Sequence, residues 1–243
     1  MTRRLYYEDQ YMKNFNAQVV SVERRGDVFA VVLDATAFYP GGGGQPHDTG
    51  VLESSEWRMK VNSVVEEGGR IVHLGSVEGR EPSIGDQVQG VIDWNRRYRL
   101  MRMHTAAHII GYAVKKLFGL SVRFASSALG LEQSHLDFTA SIKRDDLPRL
   151  AEVVREVIEK DLSVKVFWLS RDEAEEYLKR FGEELTELHE GIETVRIVEI
   201  EELYGVPCGG THVARTGEVG TVLLLKRESK GRGITRIRYT LEG

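Results

Sequence analysis

The sequence predicts an α+β protein in two parts: a small β-barrel-like domain over residues 1–93, then an α+β domain over residues 94–243 with a mainly antiparallel sheet. Three observations predict it. Short valine-rich stretches closed by glycine turns fill the chain up to residue 92. The hydrophobic period then switches at Asp93-Trp94-Asn95, and strand-like segments interleave with further helices beyond it. A strand repeats its faces every two residues and a helix every 3.6, so the switch marks a change of architecture.

In the first part, residues 17–22 and 27–33 read as strands joined through Arg25-Gly26-Asp27. Residues 57–65 alternate, with Trp57, Met59 and Val61 against Arg58, Lys60 and Asn62; residues 71–74 and 88–92 close the series. Short strands at close spacing favour a small barrel or sandwich. The run Pro40-Gly41-Gly42-Gly43-Gly44-Gln45-Pro46 cannot be an ordinary strand interior.

In the second part, Leu100, Met103, Ala107, Ile110, Val114 and Leu117 recur at three- and four-residue steps and predict a helix over residues 96–118, with Asp93 or Asn95 as cap and Gly119 after its end. A second helix is expected over about residues 145–161, with Pro148 in its first turn. A third begins at Ser170, where Glu173 completes a capping-box pattern, and ends at Gly182. Strands are expected over residues 164–169, 194–200, 219–225 and 235–241.

Composition bounds the function. The chain has 33 Lys plus Arg against 37 Asp plus Glu, and 41% hydrophobic residues, which excludes the low-hydrophobicity, high-charge signature of disorder. No apolar run approaches the roughly 18–20 residues of a membrane span. The start, with two arginines and no apolar stretch behind them, does not read as a secretory signal. Cys208, the single cysteine, forbids an internal disulfide and fits a reducing compartment. A soluble, cytoplasmic protein is expected.

His104 and His108 stand four apart in the long helix, so both imidazoles leave one face. Cys208-Gly209-Gly210-Thr211-His212 adds two more donors, with glycines that let a loop curl around one centre. One thiolate and three imidazoles form a tetrahedral set suited to Zn2+. The plainer alternative is buried histidines bonded to their neighbours and a cysteine acting as a small hydrophobe. A protease of the HExxH kind is excluded, because Thr105 stands where its glutamate belongs.

The glycine run offers backbone N–H groups that a ligand can approach without Cβ obstruction, although it is neither a P-loop nor a dinucleotide fingerprint. Its alternative is a flexible hairpin tip. Cations cluster at Arg96, Arg97, Arg99 and Arg102, and again at Lys226, Arg227, Lys230, Arg232, Arg236 and Arg238, while acidic residues crowd residues 152–202. Such asymmetry suits a face turned to a phosphate backbone, as well as a merely solvated face.

Together, the His-x-x-x-His and Cys-x-x-x-His pairs resemble the editing domain of alanyl-tRNA synthetase and its free-standing relatives. The stretch Ala37-Phe38-Tyr39-Pro40-Gly41-Gly42-Gly43-Gly44-Gln45-Pro46-His47-Asp48-Thr49-Gly50 is similar to their glycine-rich segment. The resemblance spans both halves of the chain, whose length is similar to the medium-length form of the AlaX family. It implies hydrolysis of the ester joining a wrong amino acid, chiefly serine and secondarily glycine, to the tRNA for alanine. By the same resemblance His104, His108, Cys208 and His212 would hold zinc, and Gly42, Gly43, Gly44 and Gln45 would contact the substrate.

No side chain stands out as catalytic, and a water activated at the metal is the favoured nucleophile. Thr105 and Thr211, with Ser126 and Ser127, are candidate readers of a substrate hydroxyl. Arg96, Arg97, Arg99, Lys226, Arg227, Lys230 and Arg232 are candidate tRNA contacts. Two departures bear on serine against glycine: the helix reads His-Thr-Ala-Ala-His, where many relatives place Thr before the second histidine, and Phe124-Ala125-Ser126-Ser127-Ala128 lacks a glutamine that synthetase editing domains often carry. Two rivals remain: an RNA-binding protein with a purely structural zinc, and a release-factor-like activity suggested by Gly43-Gly44-Gln45.

Overall fold

A computed structural model describes residues 1–243, apart from the side chain of Leu188. The chain forms two compact units, Met1–Leu100 and Met101–Gly243.

In the first unit, β1 (Asn14–Arg25), β2 (Val28–Leu33), β3 (Gly50–Glu53), β4 (Trp57–Glu67), β5 (Arg70–Gly79) and β6 (Gln87–Ile92) close into a barrel in the order β1-β2-β5-β4-β3-β6. All its pairings are antiparallel. Closure leaves no free edge, and the inward alternate positions fill the interior with Phe15, Val19, Leu33, Leu52, Met59, Val61 and Ile71. The closing pair, β1 with β6, needs Gly90: Phe15 lies opposite it, and a Cβ there would come within 2.3 Å of the phenyl ring.

The glycine run is an ordered hairpin. Gly42 and Gln45 exchange both backbone hydrogen bonds at 3.0 Å, and the two central residues have φ of 58° and 84°. Positive φ at both central positions is what the tight mirror-image turn demands, and glycine adopts it without a Cβ clash. The Tyr39 hydroxyl donates to the Gly42 carbonyl.

Arg97 holds the base of this segment and corrects an expectation. Its side chain is fully buried in an ion pair with the equally buried Asp48, and it also donates to the carbonyls of Gln10 and Ala37. Asp48 in turn accepts from the Tyr39 N–H at 2.7 Å. Arg97 is therefore a structural cation of the first unit, not a surface charge awaiting phosphate.

A long helix, α1 (Trp94–Phe118), follows the barrel. The second unit contains two antiparallel sheets. One is four-stranded in the order β12 (Val222–Gly231), β13 (Ile234–Leu241), β8 (Ser134–Phe138), β7 (Phe124–Ala128). The other is three-stranded in the order β9 (Val164–Ser170), β10 (Thr194–Ile200), β11 (Tyr204–Pro207). Helix α2 (Leu147–Glu159) starts with Pro148 in its first turn. Helix α3 (Arg171–Lys179) is capped by Ser170, and Glu173 returns a hydrogen bond to the Ser170 N–H at 2.9 Å.

The α+β expectation thus holds, with local corrections. The strand expected over residues 219–225 begins at Val222, because Thr216–Val219 forms a 3-10 turn. The strands Gly50–Glu53, Phe124–Ala128, Ser134–Phe138 and Tyr204–Pro207 were not anticipated. Among the described residues no helix is long and apolar enough to cross a membrane.

One barrel residue makes stability depend on acid. His73 is fully buried; its Nδ1–H donates to the Val31 carbonyl, and its Nε2 accepts from the Thr36 hydroxyl, both at 2.9 Å. Burial pushes its pKa down to about 4, from a usual value near 6.5. The depressed value means stability is complete above about pH 6.5 and declines as pH falls toward about 4, where the unfolded chain takes a proton that the native chain refuses. Urea unfolding should show a loss of roughly 3 kcal/mol over that interval, absent in His73→Gln, which cannot ionise. Equal pH slopes for the two proteins would contradict this.

Candidate metal centre

Helix α1 carries His104 and His108 one turn apart on a buried face, with ring centroids 5.1 Å apart. The other two donors follow β11. The Cys208 N–H bonds the Arg196 carbonyl at 3.0 Å, which extends the β10–β11 pairing by one residue, and the chain then turns through Gly209 and Gly210 to His212. The Gly210 N–H points back at the Cys208 sulfur at 3.4 Å.

All four donor atoms lie within 4.8 Å of one another. The Cys208 Sγ is 3.5 Å from His104 Nε2 and 3.3 Å from His212 Nε2. A tetrahedron with bonds of roughly 2.0–2.1 Å to nitrogen and about 2.3 Å to sulfur has nitrogen–sulfur edges of roughly 3.5 Å. The set therefore fits one tetrahedral ion in both size and donor chemistry.

His212 is oriented from behind. Its Nδ1 lies 3.1 Å from the Thr105 Oγ1, which also accepts from the Val213 N–H at 3.2 Å. With Nδ1–H directed at that oxygen, Nε2 keeps its lone pair for the cluster. Thr105, expected to read substrate, is thus engaged first in fixing a ligand.

Arg196, which the sequence did not single out, braces the loop. It is buried on β10, and its Nη1 donates to the carbonyls of Cys208 at 2.6 Å and Gly210 at 2.9 Å. The signal available was an arginine set among the valines and isoleucines of the strand Thr194–Ile200, which also holds Glu199.

The electrostatics favour the neutral donor form of each imidazole. Burial drives the His104 pKa well below its usual value, with further depression by His108 and Arg196. Burial and then Arg196 bring His108 down to about 3. His212 is lowered by burial, then by the other two histidines and Arg196. Burial raises the Cys208 thiol, while Arg196 and the Gly210 N–H pull the other way.

The remaining candidates scatter. Thr211 is buried between the two loop ligands. Ser126 donates to Asp137 at 2.7 Å, on the face of the four-stranded sheet that bears Arg236; Ser127 pairs with buried Leu136 in the next position. Gly42, Gly43, Gly44 and Gln45 form the hairpin of the first unit. Arg96 donates to the His47 carbonyl, and Arg99 is half-buried. Lys226 pairs with Glu228, and Arg227 donates to the Ile142 carbonyl. Lys230 and Arg232 are exposed at the β12–β13 turn.

Residues 3–96 match the family of class II (A) tRNA synthetases. Residues 195–238, which contain Cys208 and His212, match the second additional domain of threonyl and alanyl tRNA synthetases. Barrel, helix-borne histidines and Cys-x-x-x-His loop thus define a synthetase-related protein.

Full-length relatives narrow it. The chain is 41% identical to the alanyl-tRNA editing protein AlaX-M of Methanosarcina barkeri over 99% of both chains, and 38% identical to that of Saccharolobus solfataricus over 100% of both. It also matches 26% of the length of the alanine–tRNA ligase of Halobacterium salinarum at 39% identity. The chain belongs to the AlaX-M family of alanyl-tRNA editing proteins.

Thr105→Val should weaken metal binding about 10–100-fold, because it removes the partner of the His212 Nδ1 while keeping the volume. Thr105→Ser should stay near wild type. Titration with Co2+, followed through its thiolate charge-transfer absorbance, reads this out; equal affinities for wild type and Thr105→Val would refute it.

Proposed function

We propose that the protein hydrolyses the aminoacyl ester of mischarged tRNA(Ala), releasing serine in preference to alanine and glycine as a second substrate, and that its ion is Zn2+. The observation that carries this reading is the meeting of His104, His108, Cys208 and His212 in one cluster of tetrahedral size, its three imidazoles buried, in a chain of an alanyl-tRNA editing family.

An ester needs a positioned water, support for the developing oxyanion, and exclusion of the correctly charged substrate. Zinc held by these four residues would supply Lewis-acid polarisation of a carbonyl at neutral pH. The chain's own contributions are distinct. Arg196 holds the Cys208 and Gly210 carbonyls and so fixes the loop, while Thr105 fixes His212. Gly43 and Gly44 form the hairpin tip, where backbone meets a ligand without a Cβ between them, and we assign Gly42, Gly43, Gly44 and Gln45 to substrate contact.

Discrimination rests on a hydroxyl. A small apolar synthetase pocket rejects serine poorly, because the extra group is accommodated. A second site that bonds this hydroxyl is left with an unpaired polar group when alanine enters, a penalty of about 1–3 kcal/mol. Thr211, buried between the two loop ligands, and Thr105, which already accepts two hydrogen bonds and retains its proton to offer, are the candidates for that bond. Arg96, Arg99, Lys226, Arg227, Lys230 and Arg232 are assigned to the tRNA backbone, and Arg97 is withdrawn from that set.

A set of four protein ligands, three of them buried and Cys208 part-buried, also suits a structural ion. Incubation with seryl-, glycyl- and alanyl-tRNA(Ala), with and without a chelator, separates the readings. Serine release should exceed alanine release, and chelation should slow it about 100-fold or more. Cys208→Ala should remain folded by circular dichroism yet lose the activity. A folded variant with full activity, or a rate indifferent to chelation, would overturn the proposal.

A further inference from the structure

The register of the four-stranded sheet sorts its residues into two faces. Ile237 and Tyr239 of β13 are buried on one of them with Leu136 and Phe138 of β8. The alternate positions form the other: Arg236 and Arg238 of β13, His135 and Asp137 of β8, and Lys226 and Glu228 of β12. Directly opposed residues of antiparallel strands share a face, so these six side chains stand on one outward surface. Lys226 is 66% exposed, and both arginines are half-buried.

The charges on this surface are ordered. Asp137 accepts from Arg236 Nε at 2.7 Å and Nη2 at 2.9 Å. Glu228 accepts from Arg238 Nε at 2.8 Å and pairs with Lys226 at 3.3 Å. Arg236 brings the Asp137 pKa down to about 2, and Arg238 does the same to Glu228, so both carboxylates stay ionised and hold the guanidiniums in place. Arg236 keeps Nη1, and Arg238 both terminal nitrogens, outside these bonds. Burial and then Arg236 lower the His135 pKa, with Arg238 and the exposed Lys230 adding and Asp137 opposing, so the ring is neutral at pH 7. Four cations thus face two carboxylates, whereas residues 183–193 carry five glutamates and no lysine or arginine. The second unit is therefore polarised, positive over this sheet. Exposed Leu223 and Leu225 border the surface at the start of β12, and among the described residues its outward positions hold no phenylalanine, tyrosine or tryptophan.

We propose that this outward face docks the duplex stem next to the esterified 3′ end of the tRNA, through its phosphate backbone, with Arg236 and Arg238 as contacts beside Lys226 and Lys230. This rests on the function proposed above, which supplies the RNA. Duplex RNA hides its base edges in a deep, narrow groove and is recognised by shape, phosphates and 2′-hydroxyls. A sheet surface with cations fixed by carboxylates offers contacts of that kind. Single strands are taken instead onto aromatic side chains set among cations, and this face has none of those rings. Arg236 and Arg238 are two residues apart on one strand, roughly 7 Å along it, close to the step between neighbouring phosphates of one RNA strand. Phosphate contacts fix position and orientation without reading sequence. The face thus sets where the stem lies and leaves the choice of amino acid to the metal centre.

Binding of a hairpin RNA that reproduces this stem, followed by fluorescence anisotropy over a series of KCl concentrations, tests the assignment in wild type, Lys230→Gln, Arg238→Gln and the double variant. The slope of log affinity against log salt should become shallower by about 1 for each cation removed. Arg238→Lys keeps the charge and should keep the slope. Arg155→Gln on α2 and Lys179→Gln on α3 remove the same charge from other exposed positions and should leave the slope unaltered. The single-stranded 3′ arm of the same RNA should bind wild type more weakly than the hairpin. Co2+ binding of each variant reports an intact fold and ligand set, and Lys230→Gln, at an exposed turn, decides the matter if Arg238→Gln is unstable.

Slopes indifferent to Lys230 and Arg238, equal losses in the α2 and α3 variants, or a single strand bound as tightly as the hairpin would overturn the docking face and leave the hydrolysis standing. A wild-type protein that binds the hairpin through these cations yet hydrolyses no aminoacyl-tRNA would remove the function and leave the face.

Discussion

Three imidazoles and a thiol crowded within 4.8 Å oppose their own assembly. The three rings have been taken out of water and the thiol partly so, and any proton on one ring repels the next. The rings respond by giving up protons, which is the form in which nitrogen donates a lone pair. The thiol resists ionisation, and a divalent cation is the partner that reverses this. The second unit is arranged around that requirement: a helix supplies two rings at fixed spacing, and a loop hung from a sheet supplies the other two donors.

The loop is the less secure half, and its bracing is correspondingly explicit. Its glycines give freedom to curl but also freedom to wander. Arg196 answers with two hydrogen bonds to loop carbonyls, and Thr105 reaches from the helix to the far side of His212. Through Thr105 the helix that provides one ligand pair also aligns a member of the other. The two halves of the centre are therefore mechanically linked before any ion arrives.

Much of this was written locally. The period change near Trp94, the Ser170–Glu173 capping pattern and the four-residue spacings of the donors each lie within one short window, and each has its counterpart in the structure. What escaped sequence reasoning depends on partners far along the chain. Arg97 looks like one of several neighbouring cations until Asp48, 49 residues away, closes around it. Thr105 looks like a substrate reader until His212, 107 residues on, takes its oxygen. The strand Phe124–Ala128, built after its phenylalanine of small residues of weak β preference, exists through its pairing with Ser134–Phe138.

The ion pair of Arg97 and Asp48 also constrains how the chain can change over time. Loss of either member strands the other as a lone charge inside the protein, a defect of roughly 3–5 kcal/mol, whereas joint replacement by apolar groups of similar volume can be nearly neutral. Drift at one position is therefore blocked until the other has moved. The arginine that opens the helix and the aspartate that closes the glycine segment should be inherited as a couple, and a lineage that has lost one should have lost both.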